Sequence, residues 1–145
     1  MRLILTIILI FSGAAPALAS SSYCFEEAGA EYDVSPQLLW TIAKTESGFA
    51  PRALNWNRNG SYDFGVMQIN SEWAPRLGKD VWQSLGDPCT NIRAGAWILA
   101  QCFQRYGYSW EAVGCYNASS EDKRERYEQK VYAVFKRYFR QKQEN

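Results

Sequence analysis

The sequence predicts a single, mostly α-helical domain with a small β-hairpin or loop region around residues 55–70. Apolar residues recur at helical spacing in several segments, and these segments begin and end at residues that cap helices. One stretch departs from this pattern, because residues 55–61 are dense in Asn, Gly and Ser, which favour turns. The chain has 145 residues, which is enough for one domain with a substantial core.

The first 19 residues form a separate segment. Arg2 is followed by a short apolar run, residues 3–11, and by an Ala-x-Ala site at residues 17–19. This is the pattern of a secretory signal peptide. An uncleaved membrane anchor is the less favoured alternative, because a transmembrane helix needs ~20 apolar residues. We therefore expect an exported protein whose residues 20–145 form one domain without stable membrane insertion.

Charge and composition exclude several kinds of function. Removing residues 1–19 takes away one basic residue, Arg2, so that 15 basic and 15 acidic residues remain and no field attracts nucleic acid. The chain has no histidine, which excludes Ser-His-Asp and Cys-His nucleophile systems. Cys-x-x-Cys pairs are also absent, so we expect neither a metal nor another cofactor. Acid–base chemistry must then come mainly from carboxylates.

The helices are predicted from apolar spacing and from capping residues. The predicted helices cover residues 22–32, the segment from the Ser35-Pro36 cap to a stop at Ser47-Gly48, a short piece at 80–85, residues 90–104, a helix from Ser109 to about Ala118, and a last helix capped by Ser119 or Ser120. In the last helix the apolar positions follow helical spacing; they are Tyr127, Val131, Val134, Phe135 and Tyr138. Asn59-Gly60 favours a tight turn, and we expect a loop or hairpin whose second arm runs from Phe64 to Gln68.

Four cysteines follow the predicted cleavage site, and an even number in an exported chain favours two disulfides. Cys102 and Cys115 lie nearly symmetrically about the turn at residues 107–108, so two antiparallel helices would bring them face to face. Among the three possible connectivities we therefore expect Cys102–Cys115, with Cys24–Cys89 by elimination.

Glu46 is the strongest candidate for a chemical role. It follows Leu39, Ile42 and Ala43 by seven, four and three residues, so it shares their helix face. A carboxyl group on a core-facing stripe is partly desolvated, which raises its pKa and suits it to act as a general acid. The alternative is a solvated glutamate at a fraying helix end.

Polar residues in two other segments also need an explanation. Asp63 lies between two aromatic residues just before Gly65, and it either organises its own turn or takes part in chemistry. Gln68 lies in an apolar stretch and must find partners in the backbone or in a ligand. Tyr116 and Asn117 end an apolar helix, where Tyr116 could simply pack at the edge of the core. Most of the six tryptophans are expected in the core, and the sequence does not single out any that contact a sugar.

Three segments together resemble the lysozyme-like lytic transglycosylases of the soluble-lytic-transglycosylase (SLT) domain family. Glu46-Ser47 after an apolar helix resembles the family's Glu-Ser motif, residues 65–70 resemble its Gly-hydrophobic-Met-Gln-Ile motif, and residues 115–118 resemble its Ala-Tyr-Asn-Ala-Gly motif. The likeness spans about residues 23–120. Small size, the signal peptide and the Asp-Pro-Cys element resemble the specialised members that accompany type III secretion, conjugation and type IV pilus systems.

The resemblance implies a lytic transglycosylase that cleaves the β-1,4 bond between N-acetylmuramic acid and N-acetylglucosamine in peptidoglycan and leaves a 1,6-anhydro product. It implies catalytic roles for Glu46, Asp63 and Tyr116. It further implies that substrate is bound by a second group of residues: Ser47, Gly65, Met67, Gln68, Asn70 and Asn117. The implied partners are glycan strands and components of a secretion or pilus machine, and the implied protein is a periplasmic monomer.

Two departures from the family pattern leave alternatives open. Ser119 stands where the larger family usually has Gly. Residues 59–71 are also similar to the active-site segment of c-type lysozymes, in which an Asp at the position of Asp63 is the second catalytic carboxylate. A lysozyme-like hydrolase that uses Glu46 and Asp63 is therefore one alternative. The other is a catalytically silent peptidoglycan-binding subunit of a secretion system.

Overall fold

The computed structural model describes residues 23–139, so the predicted signal peptide, residues 1–19, lies outside the described residues. Between residues 23 and 139 the chain forms seven α-helices and one small antiparallel sheet, which confirms the mostly helical fold class. No helix in this range is long and apolar enough to cross a membrane.

Most elements agree with the sequence prediction within a few residues. The helices are α1 (Phe25–Tyr32), α2 (Pro36–Ser47), α3 (Ala74–Leu77), α4 (Lys79–Gln83), α5 (Pro88–Tyr106), α6 (Trp110–Asn117) and α7 (Glu121–Phe139). The strands are β1 (Leu54–Trp56), β2 (Tyr62–Phe64) and β3 (Ile69–Asn70), and a 3₁₀ turn covers Ser71–Trp73. Helix α3 and the 3₁₀ turn were not predicted, because both are too short to show a period.

Capping residues fix the start and end of the helix that carries Glu46. The Ser35 hydroxyl accepts a hydrogen bond from the Leu38 amide at 3.3 Å, and Pro36 occupies the first turn of α2. Gly48 ends the helix in the left-handed conformation, with φ of 58°. Helix α5 begins at Pro88, two residues before its predicted start, because the Asp87 carboxylate accepts from the Thr90 amide and Pro88 fits the first turn.

The predicted second arm of the hairpin, Phe64 to Gln68, is wrong. The paired strand is β2, which ends at Phe64, and the chain then turns through residues 65–68 into β3. The turn forms because Gly65 and Gln68 both have positive φ angles, 83° and 50°, which extended strands do not adopt. The sheet order is β1-β2-β3, and Asp63 pairs with Asn55 on one side and with Asn70 on the other.

The core lies between α1, α2, α5, α6 and α7 and includes the turn at residues 65–68, and the structure contains both predicted disulfides. Cys24–Cys89 joins the start of α1 to α5 with a Cα separation of 5.2 Å. Cys102–Cys115 joins α5 to α6 with a Cα separation of 5.8 Å. Helix α7 packs against both α6 and α2, which brings the C-terminal part of the chain against the helix that carries Glu46.

Candidate functional site

Glu46 lies in the last turn of α2, on the helix face whose other residues Leu39, Ile42 and Ala43 are completely buried. Burial raises the pKa of the Glu46 carboxyl from 4.5 to about 7. A hydrogen bond from Tyr127 and the positive charge of Lys130 oppose this rise in pKa, whereas the negative charge of Asp63 adds to it. A substantial fraction of Glu46 is therefore protonated near neutral pH, as expected from its position in the sequence.

Tyr127 is a site residue that the sequence analysis missed. Its hydroxyl group donates a hydrogen bond to Oε1 of Glu46 across 81 residues of sequence. Burial and the nearby Glu46 carboxylate raise the pKa of Tyr127 well above its usual value, so the phenol remains a hydrogen-bond donor. A signal was present in the sequence, because Tyr127 shares the apolar stripe of α7 with the buried Val131, and a buried hydroxyl needs a partner.

Tyr116 lies beside Tyr127 but makes a different contact. The two rings are stacked with centroids 6.4 Å apart, yet the Tyr116 hydroxyl donates to the backbone carbonyl of Met67 at 2.8 Å. Burial and the charges of Glu46 and Asp63 raise the pKa of Tyr116 well above its usual value. Tyr116 therefore joins α6 to the turn at residues 65–68. It also lies close enough to Glu46 for the Glu46 charge to raise the pKa of its hydroxyl group.

Asp63 is held in one orientation by two asparagine side chains. Its Oδ1 atom accepts from Nδ2 of Asn70 at 2.7 Å, and its Oδ2 atom accepts from Nδ2 of Asn57 at 3.0 Å. The Ser61 hydroxyl is within hydrogen-bond distance of both amides. Asn70, predicted to bind substrate, thus positions Asp63, and Asn57 joins the site without having been predicted.

Asn91 of α5 fixes the turn at residues 65–68 through hydrogen bonds between its side chain and the backbone. It is completely buried; its Oδ1 accepts from the Met67 amide at 2.7 Å, and its Nδ2 donates to the Phe64 carbonyl at 3.1 Å. A Cβ atom added at Gly65 would lie 2.1 Å from Nδ2 of Asn91. Only glycine therefore permits both the positive φ and this close approach.

Several predicted substrate-binding side chains use their polar groups to build the same turn. The Gln68 amide donates to the carbonyls of Ala53 and Gly65, at 3.2 and 2.9 Å. The Ser47 hydroxyl donates to the Val66 carbonyl at 2.7 Å. The Met67 side chain is completely buried, whereas Asn117 is exposed at the end of α6. A role of these residues in binding substrate stays a prediction.

The site as a whole combines a protonatable carboxyl group with a second carboxylate and a rigid turn. Glu46 interacts electrostatically with Asp63, Tyr116 and Tyr127, although the four residues come from α2, β2, α6 and α7. Within residues 23–139, no group of three or more His, Cys, Asp or Glu side chains could hold a metal ion. The chemistry that this arrangement supports is proton transfer at one acid, assisted by a neighbouring negative charge.

Comparison with known proteins places these residues in a family. Residues 23–138 match the model of the Transglycosylase SLT domain. The chain is 41% identical over 121 residues to the Invasion protein IagB of Salmonella typhimurium (strain SL1344), covering 79% of this chain and 76% of that protein. It is 39% identical over 122 residues to Protein IpgF of Shigella flexneri, covering 81% and 80%. It is also 37% identical over 132 residues to a peptidoglycan-binding-like protein of Escherichia coli O157:H7, covering 81% and 79%.

Proposed function

Because the chain belongs to the Transglycosylase SLT domain family, we propose that it is a peptidoglycan lytic transglycosylase that leaves a 1,6-anhydro product. Its substrate is the β-1,4 bond between N-acetylmuramic acid and N-acetylglucosamine. The observation that carries this proposal is Glu46, a half-buried carboxyl group whose pKa is raised to about 7. Such a group is protonated often enough at neutral pH to donate a proton.

Glu46 acts first as a general acid. Its proton passes to the glycosidic oxygen, the bond to the anomeric carbon of the muramyl sugar breaks, and positive charge develops on that sugar. The Glu46 carboxylate that results is stabilised by the hydrogen bond that Tyr127 already donates to it. Asp63 lies close enough to influence Glu46 electrostatically, and its negative charge stabilises the developing cation.

Glu46 then acts as a general base. The 6-hydroxyl of the muramyl sugar attacks the anomeric carbon of the same sugar, and the proton of this hydroxyl passes to the Glu46 carboxylate. The ring closure forms the 1,6-anhydro bond and consumes no water. Tyr116 supports this step indirectly, because its bond to the Met67 carbonyl holds the turn at residues 65–68 beside Glu46.

The turn at residues 65–68 is the proposed binding surface for the sugar's N-acetyl group or hydroxyls. The Asn91 side chain accepts a hydrogen bond from the Met67 amide, and the Gln68 side chain donates one to the Gly65 carbonyl. These bonds hold the backbone of the turn in place before substrate arrives. Since the Ser47 hydroxyl and the Gln68 amide already bond within the protein, we assign most of the sugar contacts to backbone groups of the turn.

A lysozyme-like hydrolase is the second candidate, and the geometry of Asp63 favours it. Both Asp63 oxygens accept side-chain hydrogen bonds, which fixes the carboxylate as a cation stabiliser or a nucleophile would require. In that mechanism water completes the reaction and the released muramyl end is a reducing sugar. The silent peptidoglycan-binding module is less favoured, because a binding surface has little use for a desolvated acid.

We further propose that the enzyme is exported to the periplasm and opens the cell wall locally for a secretion, conjugation or pilus apparatus. The motif resemblance to the specialised subgroup supports this, as does the similarity to a protein named for invasion. The two disulfides suit an oxidising compartment, where such bonds persist.

The proposal is tested by the loss of turbidity of purified cell walls with the wild type and with Glu46→Gln. The substitution is nearly isosteric and replaces the titrating carboxyl by an amide that cannot give up a proton at neutral pH, so we expect ordinary circular dichroism and a rate loss of at least ~10²-fold. Glu125→Gln is the matched control, because Glu125 is exposed on α7. A Glu46→Gln variant within tenfold of the wild-type rate would mean that the acid is elsewhere.

A further inference from the structure

A ladder of three aromatic rings leads from α4 across the small sheet to an exposed side chain of β1. Trp82 of α4 contacts Tyr62 of β2 with ring centroids 6.0 Å apart, and Tyr62 contacts Trp56 of β1 at 5.0 Å. Trp82 and Tyr62 are half-buried, whereas Trp56 is 69% exposed. The exposed indole is therefore held in place by a second ring, which is in turn supported by a third.

The strand register places this ladder on the face of the sheet opposite to Asp63. Residues directly opposite each other in an antiparallel pair share a face, and successive residues alternate between faces. Asn55 pairs with Asp63, so both point towards the candidate site. Trp56 pairs with Tyr62, so both point to the other side. Trp56 is consequently outside the site that contains Glu46 and Asp63.

The size of the exposed patch indicates what it can bind. Between residues 23 and 139 the exposed large apolar side chains are Leu54, Trp56, Val81, Tyr108 and Tyr138. Only Leu54 and Trp56 belong to β1. A tryptophan side chain offers roughly 150–250 Å² of contact, whereas a stable protein interface buries about 800 Å² on each partner. The patch is therefore too small for a stable protein interface, but a single pyranose ring could cover it.

We propose that Trp56, supported by Tyr62 and Trp82, is a second glycan-binding platform. It takes a sugar ring of a neighbouring glycan strand while another strand lies against the Asp63 face. The flat indole suits the apolar C–H face of a pyranose. The two neighbours of Trp56 in sequence reach the candidate site, because Asn55 donates a hydrogen bond to Gln68 and Asn57 donates one to Asp63. The inference rests on the proposed function, because it takes peptidoglycan as the substrate. Two weak contacts with one insoluble network combine to hold the enzyme on it.

The test is co-sedimentation with purified, insoluble cell walls. The parent protein carries Glu46→Gln so that the walls stay intact, and the test variant adds Trp56→Ala. We expect binding to weaken by ~5- to 10-fold, where tenfold corresponds to ~1.4 kcal/mol. Trp56→Tyr should retain most of the binding, because it keeps an aromatic face. Tyr138→Ala is the control, since Tyr138 is exposed on α7 and packs against Trp40, away from the ladder. Circular dichroism verifies that each variant folds.

A second measurement separates the platform from the catalytic site. With Glu46 intact, Trp56→Ala should cleave short, soluble, uncross-linked glycan strands at the wild-type rate, because such strands occupy the Asp63 face alone. Unchanged sedimentation of Trp56→Ala would overturn the inference, and so would an equal loss of cleavage on the short strands. If the wild type failed to cleave walls while sedimentation still depended on Trp56, the proposed reaction would be rejected and the platform retained.

Discussion

Replacing Tyr127 with Phe tests how the hydrogen bond from Tyr127 affects the pKa of Glu46. The substitution removes one hydroxyl group, the donor to Oε1 of Glu46, and leaves the aromatic ring that fills the space beside Tyr116. A bond that stabilises the charged carboxylate lowers the pKa, so its removal must raise the pKa of Glu46 further above about 7.

The size of the change follows from the energy of the bond. A hydrogen bond to a charged group contributes about 1.5–3 kcal/mol, and one pKa unit corresponds to ~1.36 kcal/mol. The pKa of Glu46 should therefore rise by ~1–2 units in Tyr127→Phe. Since the protonated acid starts the reaction, wild-type activity should fall as the pH increases through about 7. In the variant this alkaline limb should move upward by the same ~1–2 pH units.

The assay is the initial rate of wall solubilisation at low substrate concentration, measured from pH 5 to pH 9, since kcat/KM reports the pKa of the free enzyme. We also expect a lower plateau rate, by ~10-fold, because the carboxylate formed during proton transfer loses its donor. Tyr138→Phe, the same change at an exposed position of α7, should leave the profile unchanged. An alkaline limb that stays in place or moves downward in Tyr127→Phe would refute this explanation.

Two further outcomes concern the carboxylates. Burial raises the pKa of Glu46 in the folded state from 4.5 to about 7. Between these pH values the folded state therefore binds more protons than the unfolded state, and above them the ionised Glu46 lowers the free energy of unfolding. Denaturant unfolding should therefore show that Glu46→Gln is more stable than the wild type at pH 8, by at most ~3 kcal/mol. This difference should disappear near pH 4. Equal stability of the two proteins at pH 8 would contradict the desolvation of Glu46. Asp63→Asn should keep measurable wall-cleaving activity and the same anhydro product, whereas a loss as severe as that of Glu46→Gln would identify Asp63 as a nucleophile.

Local patterns predicted the part of the site that lies within one helix. The spacing of Leu39, Ile42 and Glu46 and the caps at Ser35 and Gly48 gave the helix, its ends and the buried face of the carboxyl group. These features depend on residues that are neighbours in sequence, so periodicity and capping suffice to find them. The pairing of Cys102 with Cys115 was accessible for the same reason, since one turn separates their two helices.

The rest of the site depends on contacts between distant segments. Tyr127 reaches Glu46 only because α7 packs against α2, and the apolar pattern of α7 does not specify which carboxyl group its hydroxyl meets. Asn91 reads as an ordinary residue of α5, although it holds the Met67 amide 24 residues away. The hairpin arm was predicted too far along the chain because Val66, Met67 and Ile69 form an apolar, strand-like run. The turn there, with a positive φ at Gln68, is held by contacts of Gln68 with Asn55 and Ala53, which the run itself does not indicate.

The mass of the released muropeptides tests the central claim most directly. If Glu46 acts in the second step as the base that deprotonates the sugar's own 6-hydroxyl, the wild-type products should carry 1,6-anhydro muramyl ends. These products are one water lighter than hydrolysis products. Mass spectrometry of a complete wall digest, with a hydrolytic muramidase digest for reference, distinguishes the two. Reducing muramyl ends from the wild type would contradict the transglycosylase mechanism and favour hydrolysis assisted by Asp63.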